Sequence, residues 1–319
     1  MNDLSAASPE PSKPPKRKWS RFRRFLIIGG IALLVLTSVA AFVGVGRMLY
    51  ENEKGSQQRQ TTVGYKETAV LELDVTAQRV DTDNRQLLLN VVPVPRGALA
   101  GSPARALAQD VEVVTTSPVL PIIHLSKGTI PTPLQVPILL EGGPASDYPF
   151  DHYLAFMIWL AKTPDGAPAE TMMVFNETDP FFSVEPSFDF DTAVVVVFTG
   201  QAALGVKASR SHSVIVLAGF MALAMWTLAL AVLGGAIVLL RQRQRIVWPA
   251  MGWMAATLFA IVGLRSAAPG SPAIGSLLDY TAFFWSEAII TLSVALVTVS
   301  GILADRRYER DIATGARAA

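Results

Sequence analysis

With 319 residues, 51% of them hydrophobic and only 17% charged, the chain carries more apolar sequence than a soluble domain of this length needs. A net charge of +1 supplies no field to gather nucleic acid. The absence of cysteine excludes disulfides, thiolate metal sites and cysteine nucleophiles.

The apolar excess falls into blocks, which gives the chain its order. Residues 1–25 are rich in Ser, Pro and Ala and carry Lys16, Arg17, Lys18, Arg21, Arg23 and Arg24, so they read as a disordered, basic cytoplasmic tail. Residues 26–46 hold no charge and are long enough to span a hydrocarbon core of about 30 Å, making a first transmembrane helix. A cleaved signal peptide ending near Ser38-Val39-Ala40 is the rival reading, but such apolar cores run only about 7–15 residues. Residues 47–212 look like ordinary globular sequence. Residues 213–240 form a second span, followed by a basic loop (241–246) with Arg241, Arg243 and Arg245. Residues 247–264 form a third, with Trp248 and Trp253 near its start. The connection 265–280 has no Lys or Arg after Arg265, and a fourth span, 281–303, runs into a tail, 304–319, with Arg306, Arg307 and Arg310. All basic clusters thus lie on one side. The positive-inside rule predicts cytoplasmic N- and C-termini at the plasma membrane and an extracytoplasmic 47–212.

Within that outer region, short β-type runs at 69–75, 86–92, 110–116, 134–140, 153–160, 171–176 and 193–198 are broken by turns at 93–97, 142–144 and 164–166. Seven or so strands predict an antiparallel β-sandwich. Pro93, Pro121, Pro131, Pro133 and Pro137 must then sit at strand ends or edges, because proline cannot donate to a ladder. The expected fold class is an α+β membrane protein with one N-terminal and three C-terminal transmembrane helices around this sandwich.

Signatures of chemistry are sparse. No GxSxG elbow, Walker lysine motif or GxGxxG turn occurs. Of the histidines, only His152 has acidic neighbours, Asp147 and Asp151, and the three lack metal-ligand spacing. The acidic, aromatic run 178–191 offers Asp179, Glu185, Asp189 and Asp191 to calcium, but without EF-hand spacing. No cofactor is expected, nor any nucleic-acid partner. Arg265, Asp279 and Glu287 are the most informative polar residues. Arg265 closes the third span, Asp279 opens the fourth, and Glu287 lies about two turns deeper, where an unpaired carboxylate is costly. They read either as a cluster handling protons or a ligand, or as an ion pair locking the two spans together.

Three stretches carry a family likeness. One is Leu264-Arg265 through Pro269-Gly270-Ser-Pro272 to Gly275, continued by Asp279-Tyr-Thr-Ala-Phe283-Phe284-Trp285-Ser-Glu287. The second is Ser209-Arg210-Ser211 leading to Met225-Trp226, and the third is the turn Asp147-Tyr148-Pro149-Phe150-Asp151. Together they resemble membrane proteins carrying the domain of unknown function 4436, over most of the chain after residue 60, with His212 a departure. The resemblance implies the layout already derived and supplies no activity. The chain is therefore expected to be a non-catalytic accessory or scaffold subunit whose outer domain binds a protein or other component of the envelope, with membrane lipid around its spans. Transport or lipid handling through Arg265, Asp279 and Glu287 is the alternative, and an envelope hydrolase or transferase the weaker one.

Overall fold

The computed structural model describes residues 60–64, 69–187, 200–242 and 248–318, and before them residues 40, 44, 46–48 and 51. Nearly all of the expected first span, and the expected strand at 193–198, lie outside the described residues. The chain divides into two compact units, Met1–Glu51 and Asn52–Ala319, and the second is described below.

Its strands are β1 (Thr61–Val63), β2 (Leu71–Asp81), β3 (Gln86–Pro95), β4 (Val111–Thr115), β5 (Ile122–Leu125), β6 (Leu134–Glu141), β7 (His152–Lys162), β8 (Pro168–Ala169), β9 (Thr171–Glu177), β10 (Phe182–Pro186) and β11 (Gln201–Arg210). Three helices follow: α1 (His212–Gln242), α2 (Trp248–Ser266) and α3 (Phe284–Ala318), the last entered through a π-helical turn, Asp279–Phe283.

The expected antiparallel sandwich is replaced by a nearly closed, mixed barrel. Eight strands follow one hydrogen-bonded path, β1-β9-β2-β3-β6-β7-β11-β10, with β4, β5 and β8 attached beside β7. The pairing of β2 with β9 is parallel, Leu71 opposite Thr171 through Ala77 opposite Glu177. One continuous sheet curls around one interior, so there are no two facing layers. Alternation in sequence marks which side chains point inward but does not tell a curled sheet from two stacked ones. That alternation is regular: Leu87, Leu89 and Val91 of β3 and Tyr153, Ala155, Met157, Trp159 and Ala161 of β7 all enter one core.

Prolines sit where a strand has lost one neighbour. β3 pairs with β6 only over Gln86–Val91 but with β2 out to Pro95, so Pro93 and Pro95 lie on a half-free stretch. Pro137 of β6 pairs with Leu88, while the other flank of β6 meets β7 only at Leu140 and Glu141. The seam is closed by side chains. A bulge between Ala77 and Arg79 ends the β2–β9 ladder, and there the Val80 N–H donates to Asp179 Oδ2 at 2.6 Å. Asp179 Oδ1 accepts from the N–H groups of Phe181 (2.7 Å) and Phe182 (3.1 Å), which starts β10.

The helices pack on small residues and methionines. Val214, Ala218, Met221, Met225, Ala229, Val232 and Ala236 form the buried stripe of α1, facing Ala282, Ile290 and Val297 of α3 and its entry turn, and Met254 and Ile261 of α2. Close approach of backbones through small side chains is how helices associate where apolar burial gives no advantage. Two helical runs, His212–Gln242 and Asp279–Arg310, are long and apolar enough to cross a membrane.

Candidate functional site

A buried ion pair lies where the barrel joins the helices. Strand register sets this up: Arg210 at the end of β11 lies opposite Phe182 at the start of β10, and Ser209 opposite His152 at the start of β7. Asp151 precedes β7, and its carboxylate receives Arg210 from the side: Nε to Oδ1 at 2.9 Å and to Oδ2 at 3.1 Å, and Nη2 to Oδ2 at 3.0 Å. The Tyr153 hydroxyl donates to the same Oδ2 at 3.1 Å. Both charged side chains are almost wholly out of solvent, 3% and 0% exposed. A guanidinium keeps its charge at any ordinary pH, so burial demands compensation. Here the carboxylate supplies it, with the Phe182 and Tyr148 rings 4.1 and 5.0 Å from the guanidinium carbon.

Tyr148 carries this network into the helix bundle. Its ring is buried among helix side chains, in one cluster with Val214 and Ala218. Burial pushes its phenol up to about 12, and the nearby Asp151 charge adds to the rise, against the pull of Arg210 and Arg265. Its hydroxyl and Arg210 Nη1 are both buried without a hydrogen-bond partner among the described residues. From the α2–α3 connection Gly270 closes over Arg210: a Cβ there would stand 2.2 Å from Nη1, and the glycine's φ of +72° is left-handed. Asp151 and Arg210 thus clamp β7 to β11, and Tyr148 and Gly270 extend the clamp to the helices.

A second clamp organises the α2–α3 connection. Arg265, in the last turn of α2, donates Nε to Asp279 Oδ1 at 2.9 Å and Nη2 to Oδ2 at 2.8 Å. Its remaining donors reach the Pro272 carbonyl at 3.2 Å and the Ala273 carbonyl at 3.0 Å. Asp279 Oδ2 also accepts from the N–H of Gly275 at 2.8 Å and of Ser276 at 3.3 Å. Both charges are satisfied by protein. The π-helical turn that Asp279 begins offers its Thr281 carbonyl to Trp226 Nε1 of α1 at 3.0 Å.

Glu287 stands apart from this pair. It is half-buried, and among the described residues it makes no hydrogen bond or ion pair. It lines a shallow groove along α3 with Phe284, Ala288, Thr291, Leu292 and Ala295. The three residues grouped from sequence are therefore a pair and a separate carboxylate.

The turn 147–151 divides in the same way. Tyr148, Pro149 and Asp151 are buried, whereas Asp147 and Phe150 are exposed. Asp151 points at Arg210 while His152 is exposed, so these two do not converge on a metal, and no His, Asp and Glu cluster fit for one occurs among the described residues. Of the calcium candidates, Asp179 is used by main-chain donors and Asp189 and Asp191 lie outside the described residues. A cleft of about 400 Å³ lies beside the junction, lined by Arg79, Asp81, Asp83, Asp179, Phe181 and Gly270 among others. Of its carboxylates, Asp83 is exposed, while Asp81 accepts from the main chain of Asp83 and Asn84 and the Asn84 side chain, and the Asn84 bonds hold its pKa below the usual carboxylate range. Among the described residues, no hydrogen bond joins its hydroxyls, on Thr82 and Ser271, to its carboxylates.

The Asp151–Arg210 clamp was not read from the sequence, although both residues lay inside family-like stretches. The available signal was an arginine immediately before an apolar span, where a lone cation must find a partner.

A family model described as a domain of unknown function, DUF4436, matches residues 62–203, and one described as a domain of unknown function, DUF8686, matches residues 210–304. The first covers the barrel, including the turn 147–151. The second begins at Arg210 and covers all of α1, α2, the α2–α3 connection and most of α3. No curated protein matches the chain.

Proposed function

We propose that the chain, which carries a DUF4436 domain at residues 62–203 and a DUF8686 domain at residues 210–304, is an integral membrane protein acting as a non-catalytic scaffold or accessory subunit. Four spans, at 26–46 and in the three C-terminal helices, place both termini in the cytoplasm and the barrel outside, where it binds a protein or other component of the envelope. The observation that carries this reading is the state of the buried charges. Asp151 and Arg210 are consumed where the barrel meets the helices, and Arg265 and Asp279 in holding the α2–α3 connection, so the most distinctive polar residues build a rigid mount. A catalytic or transporting site keeps polar groups open toward its substrate, and these are closed.

Purification of the full chain in mild detergent tests it. A partner should be recovered in fixed stoichiometry and be lost when the barrel surface is altered, for instance at exposed Ile122 or Leu139. Recovery of an unaccompanied monomer under conditions that preserve known envelope complexes counts against it. Transport or lipid handling is the second reading, and one observation favours it: Glu287, unlike the clamped charges, faces a groove with no partner of its own.

A further inference from the structure

At the end of the barrel that meets the helices, three loops hold large apolar side chains out into solvent: Phe150, 62% exposed, Phe181, 42%, and Ile274, 89%. Each is fixed near the level at which α1 begins. Phe150 lies between Tyr148, packed in the same cluster as Val214 of α1, and Asp151, bound to Arg210 two residues before α1. Phe181 is tied by its carbonyl to the Ser211 N–H at 3.0 Å, with the neighbouring Pro180 carbonyl receiving the Ser211 hydroxyl at 3.4 Å. Ile274 follows the two residues whose carbonyls Arg265 grips. None of these loops leaves the tips slack.

Immediately beyond the tips the helices begin their own outward-facing apolar surface. Leu217 and Phe220 are exposed in the first turns of α1, and Tyr280 and Trp285 at the start of the α3 run. Aromatic side chains at that level match the belt that membrane proteins place among lipid headgroups. The loop tips continue this surface sideways from the helix ends.

We propose that Phe150, Phe181 and Ile274 enter the headgroup layer of the outer leaflet, so that the barrel is seated on the lipid surface. This rests on the reading that α1 and α3 cross the membrane. Lipid fits the tips better than a protein partner does, because they are separate projections around the helix ends: the cleft beside Phe181 is lined by neither Phe150 nor Ile274, and the tips continue the outward-facing apolar surface of the helices. A fluid interface accepts scattered apolar projections at one depth, as it does the apolar face of an interfacial segment. Seating would hold the barrel in one orientation to the membrane, with its opposite end presented outward.

The chain's lack of cysteine makes the test direct. Single substitutions Phe150→Cys, Phe181→Cys, Ile274→Cys, Ile130→Cys and Leu230→Cys are each labelled with a fluorophore in the full-length protein. The protein is reconstituted in phosphatidylcholine vesicles containing lipids with a nitroxide near the headgroup or deep in the acyl chain. All five side chains are exposed, so labelling should leave the fold intact. The expected result is loss of emission at the three tips with the shallow quencher, none at Ile130 on the far side of the barrel, and deep quenching at Leu230 in mid-α1. If Leu230 is quenched deeply while the tips behave like Ile130, the seating is wrong and the spanning helix stands. If Leu230 is not quenched by either lipid, the membrane reading fails and takes the seating with it.

Discussion

The barrel and the helix bundle are built from similar apolar residues but place them in opposite ways. The barrel encloses most of its large strand side chains, among them Trp159, Leu71, Leu73, Leu87 and Leu89, in one core. In the bundle, alanines and methionines are inside, while Leu223, Leu230, Phe259, Leu292 and Leu296 stand out by 48% or more. A side chain gains by burial only against the medium it leaves, so this inversion supports the proposed membrane reading, in which two media surround one polypeptide. The sharpest way to break the comparison is to truncate on both sides of it. Trp159→Ala is expected to lower barrel stability by about 3–5 kcal/mol, because a large cavity opens in a closed core. Leu230→Ala is expected to stay within about 0.5 kcal/mol in detergent, since that side chain has little protein contact to lose. Thermal unfolding of the two purified variants checks both, and equal losses would show that α1's outer face is covered by protein.

At the junction of barrel and helices the comparison turns from apolar to ionic contacts. Asp151→Ala leaves the Arg210 guanidinium buried opposite nothing but rings and a tyrosine hydroxyl. The expected cost is about 3 kcal/mol or more, the penalty of an uncompensated buried charge. Limited proteolysis should then cut between barrel and helices before either part is lost. The double replacement of Asp151 and Arg210 by apolar residues of matching size should recover much of that loss, because the pair is dearer to break than to replace. Failure to recover would mean that the clamp aligns β7 and β11 in a way packing alone does not.

Tyr148 sharpens the comparison with pH. Its phenol is pushed up to about 12 by burial, against an unfolded value of 10.0. The folded state therefore holds the proton more tightly than the unfolded state. That contribution is complete below about pH 10 and is lost as pH rises from there through about 12, amounting to about 2 kcal/mol at the top. Tyr148→Phe should flatten this alkaline limb in a pH series of unfolding midpoints. At neutral pH it should be close to neutral, because the hydroxyl it removes has no hydrogen-bond partner among the described residues.

Which parts of this architecture could be read in the sequence follows from the range of the forces involved. The helical runs were legible because uninterrupted apolar length is a local property, and strands β2, β3, β4, β6, β7 and β9 because alternation is local too. The closure into a barrel was not legible, since it depends on β2 finding β9 in parallel from about a hundred residues away. The pairing of Arg265 with Asp279 was within reach because they flank one short connection. Asp151 and Arg210, at the same end of the β7–β11 pairing but 59 residues apart in the chain, were not, for no periodicity links residue 151 to residue 210. Glu287 was grouped with Asp279 because the two lie on one helix, but the π-helical turn between them alters the rotation that regular helix geometry assigns.

Glu287 carries the smallest expected effect on stability and the most pointed question. Unlike the four clamped charges, it has no side-chain partner among the described residues, so Glu287→Gln should change the unfolding midpoint by no more than about 0.5 kcal/mol's worth. Abundance in the membrane, read by immunoblot, should also stay level. With those two controls in hand the same variant decides between bracing and working. If cells carrying Glu287→Gln behave as wild type, the carboxylate is a passive half-buried group and the scaffold reading gains. If they behave as a deletion at unchanged abundance, the polar function of the bundle resides at that groove on α3, and the clamps at Asp151–Arg210 and Arg265–Asp279 are the frame that holds it in place.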